Sequence, residues 1–397
     1  RSRASTRGST ASGEAFAEKS ARAVRALHLR RALAGHYGKV LSLSWGSSPS
    51  DTRIASASND GKVIVWAGTS NNQLEAFNAD TRWLMAACLS SEGGGMVACG
   101  GLDNVVSMYR LGQPHALGTA AAAATATRRP SKQLRGHDGY ISAIRMPDAG
   151  TVVTGSGDAT VRLWDAARGE TTGTFAEHSA DVNDVAVCPT NPSVFVSGSC
   201  DSSAKLWDAR VGGSASASAS ASASPSPPDA AATTGTSGAR RATASGGAAR
   251  RAGAGSVAVV GGGGGGKAAM QTFTGHTSDV NAVAWMSNGF VVGTASEDST
   301  CAVHDIRVAG GGPLNTYYQE RLLDPASSLA FSASGRLLFA GYADTKVRAW
   351  DVLTSGGGAE PASVLEHHRN RVSCLALNPT GQALAVGSWD TGVSIWA

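Results

Sequence analysis

The chain has 397 residues, 50 of them Gly, with 42 % apolar and only 16 % charged residues. That composition can bury a sizeable core, excludes wholesale disorder, and favours turns and strands over helices, because Gly is unfavourable inside helices. Of the net charge of +4, residues 1–33 hold +6 and residues 211–270 hold +4, which leaves −6 elsewhere and excludes a nucleic-acid partner read from the basic balance.

No run approaches the roughly 18 apolar residues of a membrane-spanning helix. The cysteines Cys88, Cys99, Cys188, Cys200, Cys301 and Cys374 lack C-x-x-C spacing and sit in apolar, strand-like stretches. Buried thiols are expected of them, not a disulfide framework or a zinc site. No metal and no cofactor is expected.

Residues 1–25 open R-S-R-A-S-T-R, without an initiator Met, and place only Phe16, Ser20 and Val24, with Leu27 beyond, at helical spacing. They are expected to form a poorly ordered extension or a short helix, in a sequence that is a fragment or carries a misjoined start. Residues 26–34 then alternate Leu27, Leu29, Arg31 and Leu33, a period of two that predicts a strand.

From there a repeat governs the chain. An Asp followed six residues later by an aromatic or His recurs as Asp60/Trp66, Asp103/Tyr109, Asp158/Trp164, Asp201/Trp207, Asp298/His304, Asp344/Trp350 and Asp390/Trp396. His36, His137, His178, His276 and His368 precede five of these Asp residues by 21 to 24 positions. Ser56, Thr154, Ser197 and Thr294 stand four residues before their Asp. Successive aromatic slots lie 43, 55, 43, 97, 46 and 46 residues apart.

A period of roughly 40–45 with a G-H…W-D signature is similar to that of WD repeats, each a propeller blade of four strands, a to d from the axis outward. The fold expected over 26–397 is therefore all-β, a seven-bladed WD-repeat β-propeller. The long intervals mark a shorter insertion at 112–130 and a low-complexity one at 211–269, the latter expected to be disordered. Both fall between strands c and d, on the face opposite the His and Asp turns. The last blade has no strand d after Trp396, and residues 26–34 are expected to supply it and close the ring.

Within a repeat, the His, Ser/Thr, Asp and aromatic residue are expected to form a hydrogen-bonded stack, because a buried carboxylate needs such donors. The five His residues belong to five blades, which argues against a catalytic site. No G-x-x-x-x-G-K-[ST] occurs, so nucleotide binding by the chain itself is not expected either; the Gly run ending at Lys267 reads as linker. Blades 2 and 6 lack the His and carry Cys99 and Ala340 in the Ser/Thr slot, while blade 7 carries Val386 there. Those three are expected to rely on apolar packing.

Trp45 and Trp285 read as core, whereas Trp83 and Trp389 fit neither slot, and Trp389 is expected to be exposed at its turn. Positions three and five after each His, with the residue before each Asp, should ring one face. That collects Lys39, Leu41, Tyr140, Asp181, Asn183, Asp279, Asn281, Leu102, Cys200, Glu297 and Trp389, and the similar stretch T-R-W-L-M adds Trp83 and Met85. An aromatic and Met cluster beside an acidic sector suits a partner with apolar anchors and nearby Arg or Lys.

The stretches R-W-L-M (82–85), V-A-C-G-G-L-D-N-V-V-S-M-Y (97–109), S-G-S-C-D-S-S-A-K-L-W-D (197–208), S-G-R-L-L-F-A-G-Y (334–342), R-N-R-V-S-C-L (369–375) and A-V-G-S-W-D (385–390) closely resemble the heterotrimeric G-protein β subunit, nearest its plant and green-algal forms. The resemblance covers roughly 26–210 and 270–397; the receptor for activated C kinase type matches the repeat frame but not these strings. It implies a non-catalytic transducer whose turn face binds the GDP-bound α subunit and, once released, effectors. The matching positions are those of the ring above other than Glu297, with Lys62, Ile64 and Asn104 added by resemblance alone. Leu41 stands where the family usually has Tyr, and Asn183 where it often has Met. A γ subunit is implied as a partner through an N-terminal coiled coil, of which residues 1–25 show little. The implied location is cytoplasmic, at the inner face of the plasma membrane, with membrane contact only through lipidated partners. The alternative is a general WD-repeat scaffold no longer coupled to α and γ.

Overall fold

The repeated Asp residues act first on local structure. Oδ1 of Asp60, Asp158, Asp201, Asp298, Asp344 and Asp390 accepts the N–H two residues on at 2.9–3.2 Å, an Asx turn. The residue after each of the seven Asp has a left-handed backbone, φ 60–81°, yet only Gly61 is a glycine. At Ala159, Ser202, Ser299, Thr345 and Thr391 the turn thus holds a conformation disfavoured by roughly 1–2 kcal/mol. Each turn joins two short runs of β-branched and small apolar residues into a hairpin.

The structure is a computed structural model that describes residues 27–90, 95–112, 126–210, 267–353 and 360–397. Among these residues there is no helix, and the strands form seven sheets. From the axis outward, blade 1 is Val40–Trp45, Arg53–Ser58, Lys62–Ala67 and Gln73–Asn78; blade 2 is Leu84–Leu89, Met96–Gly101, Val105–Arg110 and Lys132–Arg135. Blade 3 is Ile141–Arg145, Thr151–Ser156, Val161–Asp165 and Glu170–Phe175; blade 4 is Val182–Val187, Val194–Ser199, Ala204–Asp208 and Gln271–Phe273. Blade 5 is Val280–Trp285, Val291–Ser296, Cys301–Asp305 and Asn315–Tyr317; blade 6 is Ala326–Phe331, Leu337–Tyr342, Lys346–Asp351 and Ser363–Glu366.

Blade 7 takes three strands from the end of the chain, Val372–Leu377, Leu384–Ser388 and Gly392–Trp396, and its outermost, Leu29–Ala34, from the beginning. Leu29 opposes Trp396 and Leu33 opposes Val393. The strand expected over 26–34 therefore closes the ring. Reciprocal bonds between His28 and Ala397, 3.1 Å each, extend the clasp, and Arg31 reaches the Gly68 and Thr69 carbonyls of blade 1.

The core lies in layers between successive sheets. One layer joins Ala57, Val63 and Phe77 of blade 1 to Leu84, Val97 and Tyr109 of blade 2; another joins Ile395 of blade 7 to Val40, Ile54 and Trp66 of blade 1. Five of the six cysteines are buried, Cys200 is half-buried, and all are free thiols. The expected N-terminal extension and the bodies of both insertions lie outside the described residues. The insertions do leave and re-enter between strands c and d. The end of the first adds something unexpected: Ala126–Thr127 pairs in parallel with Phe77–Asn78 as a fifth strand of blade 1. Arg128 fixes it there through an ion pair to Glu75 at 2.7 Å and a place over the Phe77 ring.

Candidate protein-interaction face

The polar stack is built in five blades. In blade 4, Trp207 Nε1 donates to Ser197 Oγ (2.8 Å), the Ser197 hydroxyl donates to His178 Nε2 (2.7 Å), and His178 Nδ1 donates to Asp201 (2.7 Å). The carboxylate thereby selects the imidazole tautomer. Trp66–Ser56–His36–Asp60 and Trp164–Thr154–His137–Asp158 repeat the order in blades 1 and 3. Each Asp also accepts the N–H of the residue after its His at 2.9–3.2 Å, which clamps the loop entering strand a onto the b–c turn. Burial raises the pKa of Asp60, Asp158, Asp201 and Asp298, but the hydrogen bonds from His and backbone outweigh it and hold these carboxyls well below their usual range.

Hydroxyl, imidazole and carboxylate stand in the order used by hydrolytic triads. Ser56, Thr154 and Ser197 are nevertheless fully buried, and each hydroxyl is already taken by an indole N–H, so none is placed to meet a substrate. These groups hold the blade together.

The other blades depart from the sequence expectation in instructive ways. Blade 7 does have a stack: Ser394, directly across from Val386, accepts from Trp396 (3.0 Å) and bonds His368 Nε2 (2.8 Å), while His368 Nδ1 reaches Asp390 (2.9 Å). Blade 6 substitutes a buried Arg348, bidentate to Asp344 at 2.6 and 3.1 Å and lying over the Tyr342 ring. Its neighbour Trp350 stays in the core. In blade 5, His276 and Asp298 are bonded as usual, but His304 fills the indole slot and approaches Thr294 only to 3.4 Å. Only blade 2 meets the expectation of apolar packing, with Tyr109 against Phe77, ring centroids 4.7 Å apart. Among the described residues, no cation pairs with Asp103.

The inner strands carry a second device. In all seven the pairing register slips after the first paired residue, a β-bulge that re-aims one side chain. The bulged residues are Leu41, Met85, Ser142, Asn183, Asn281, Ser327 and Ser373, and all line a channel cavity of about 150 Å³. Five of them donate to the backbone of the next blade: Ser142 to Val182 O, Asn183 to Val280 O (3.1 Å), Asn281 to Ala326 O (3.0 Å), Ser327 to Val372 O (2.6 Å) and Ser373 to Val40 O (2.5 Å). Leu41 and Met85 have no donor. Deeper in the channel, Arg145 of blade 3 pairs with Asp184 of blade 4 (2.8 Å), which also accepts Val283 N–H of blade 5.

Stack and latch together fix the outer ends of the blades, and the side chains there form a graded face. Trp83 and Leu102 of blade 2 are 44 % and 54 % exposed. Tyr140 donates to Asp181 (2.8 Å), and burial, reinforced by that carboxylate, pushes the phenol's pKa up. Cys200 lies against Asn183, and burial followed by the Asp279 carboxylate pushes its thiol up to about 11, so it stays protonated and unreactive. Asn281 donates to Glu297 (2.9 Å), and Glu297 faces Arg371 at 3.8 Å.

Trp389 is not exposed as expected. It is half-buried and lies against two cations, with Lys39 Nζ 3.6 Å from its ring centroid and Arg371 at 5.3 Å. Lys62 lies at the rim over Tyr37, an 85 % exposed ring that the spacing argument missed although it directly follows His36. Asn104 bridges to Asp138 O of blade 3. Ile64 does not belong to the face: it is 1 % exposed in the layer between blades 7 and 1, because a middle strand is covered on both sides.

The family model described as "WD domain, G-beta repeat" matches residues 27–67, 128–165, 169–208, 268–305, 315–351 and 359–397. Those stretches leave out the three inner strands of blade 2. A "Guanine nucleotide-binding protein subunit beta" of Nicotiana tabacum is 37 % identical over 319 residues, which cover 78 % of this chain and 68 % of the relative. One of Arabidopsis thaliana is 37 % identical over 318 residues, covering 78 % and 67 %. The chain belongs to the G-protein β-subunit family of WD-repeat proteins. At the level of fold alone, it is similar to the structure titled "Crystal structure of WD40 beta propeller domain of Doa1", with a TM-score of 0.65, 20 % identity, and coverage of 94 % of this chain and 97 % of that one. The strings that carry the resemblance fall on the strands and turns of blades 2, 4, 6 and 7.

Proposed function

We propose that the protein is a signal transducer that works by binding: its turn face holds the GDP-bound α subunit of a G protein and, once freed, effectors. The observation that carries this reading is the face itself, an apolar sector of Trp83, Leu102 and Tyr140 grading into the acidic Asp181, Asp279 and Glu297, mounted on a ring of clamped turns. Aromatic anchors beside unlike charge are the composition of a binding hot spot. Exchange of nucleotide on α would vacate the same surface for effectors, so the two classes of partner compete. A γ subunit completes the proposed complex and, being lipidated, brings it to the inner face of the plasma membrane.

The test is capture of the protein on immobilised GDP-loaded α subunit. Wild type should bind, and the double variant Trp83→Ala/Trp389→Ala should lose more than about 100-fold, since two hot-spot residues of roughly 2 kcal/mol each are removed. Equal binding by both would refute the face. One observation favours the alternative of an uncoupled scaffold: Asn183 is committed to the neighbouring blade and not free for a partner. Failure to co-purify with any small, C-terminally prenylated protein would support that alternative.

A further inference from the structure

We infer that blade 2 is the adjustable blade of the ring, its outer end at the turn face opening locally while the other six stay fastened. Two separate features converge on it. First, latches secure the seams from blade 3 round to blade 1, but Leu41 and Met85 cannot donate, so blade 2 has no latch on either side. Second, its Asp103 has neither the His of blades 1, 3, 4, 5 and 7 nor the Arg348 of blade 6, and Cys99 replaces the stacking hydroxyl. Every blade, blade 2 included, has the same bond from the residue before its Asp back to the start of strand a, 2.9–3.2 Å from the N–H of Asn59, Leu102, Gly157, Cys200, Glu297, Ala343 and Trp389, so the blades can be compared at one equivalent position.

The lower half of blade 2 is held: Ser42 and Ser44 of blade 1 accept the N–H groups of Ala87 and Leu89 at 3.1 Å. At the turn, the tie from Asn104 to Asp138 O is exposed to water. Opening is thereby confined to the ends of strands a and b, the segment that carries Trp83 and Leu102. Two exposed apolar groups of the candidate face, Trp83 and Leu102, thus sit on its least fastened blade, which can adjust to differently shaped partners while the acidic sector keeps its geometry. The opening itself involves no partner, so it stands or falls independently of the α-subunit reading.

Amide hydrogen exchange on the whole chain tests it, because the seven equivalent bonds provide seven equivalent reporters. Corrected for intrinsic rates, the Leu102 amide should exchange more than ten-fold faster than those of Gly157, Cys200 and Glu297. Met85→Asn, which supplies the side chain used as a latch in blades 4 and 5, should slow Leu102 about five-fold, the worth of one hydrogen bond of about 1 kcal/mol. Conversely, Asn183→Leu should quicken the Cys200 amide by a similar factor. Protection of Leu102 within two-fold of its counterparts would overturn the inference, as would a Cys200 amide indifferent to Asn183→Leu. Those two comparisons decide even if Met85→Asn does not fold.

Discussion

His304 makes blade 5 the acid-sensitive part of the propeller. It occupies a slot that holds an indole in most blades, is 1 % exposed, and its Nδ1 has no hydrogen-bond partner among the described residues. Burial, aided by the neighbouring His276, lowers its pKa from 6.5 to about 4. Below pH 6.5 the unfolded chain therefore takes up a proton that the folded chain refuses, and stability falls as the pH drops from 6.5 towards 4. The loss amounts to about 2 kcal/mol by pH 5 and to about 3 kcal/mol once the pH is below 4. His304→Trp should remove this term. The indole should also fit, since Trp207 already packs on Phe175, the counterpart of Phe273 beside His304. Its N–H would reach Thr294 as the other indoles reach their hydroxyls. Urea unfolding at pH 7.5 and pH 5.0 measures the effect, with all other titrating groups shared by both proteins. Wild type should lose about 2 kcal/mol more than the variant between the two pH values; parallel losses would refute the reasoning.

The other substituted blades lead to further expectations. Ser394→Ala in blade 7 strands the buried nitrogens of His368 and Trp396 and should cost about 2–4 kcal/mol in a thermal melt, with partial recovery on adding Val386→Ser, which returns a hydroxyl to the usual slot. Arg348→Met leaves Asp344 without its cation in blade 6 and should lower stability by roughly 3 kcal/mol on the same assay. Removing residues 27–34 bares the edge of Gly392–Trp396 and should convert the protein to soluble aggregate on size-exclusion chromatography, whereas Leu29→Ala alone should stay monomeric.

Much of the ring was legible because its signals are local. An Asp that must make an Asx turn, followed at a fixed distance by a ring that must reach a hydroxyl, leaves a spacing that substitutions cannot blur. The face followed from the same ruler, since residues three and five after a His come to one end of the channel. What escaped was information carried across strands. Ser394 supplies blade 7 with its hydroxyl from strand c, where the pattern looked only on strand b at Val386. Arg348 does the work of a His from four residues after its Asp, a place the ruler does not inspect. Trp389 looked exposed because its turn is, yet Lys39 and Arg371 both lie over its ring. Ile64 shows the limit of carrying positions over by likeness, for a strand between two sheets has no outward face.

Closing the ring with the first strand has a consequence during synthesis. Residues 29–34 emerge long before residues 392–396 and must wait for them before they find their partner. At about 5–20 residues per second the interval is roughly 20–70 s. Throughout it, blade 1 has no blade 7 to lie against and Leu29–Ala34 has no ladder to join. The newborn propeller is thus an incomplete ring with two open sheet faces until residues 392–396 have emerged, and its yield in a cell should depend on how well those faces are sheltered meanwhile.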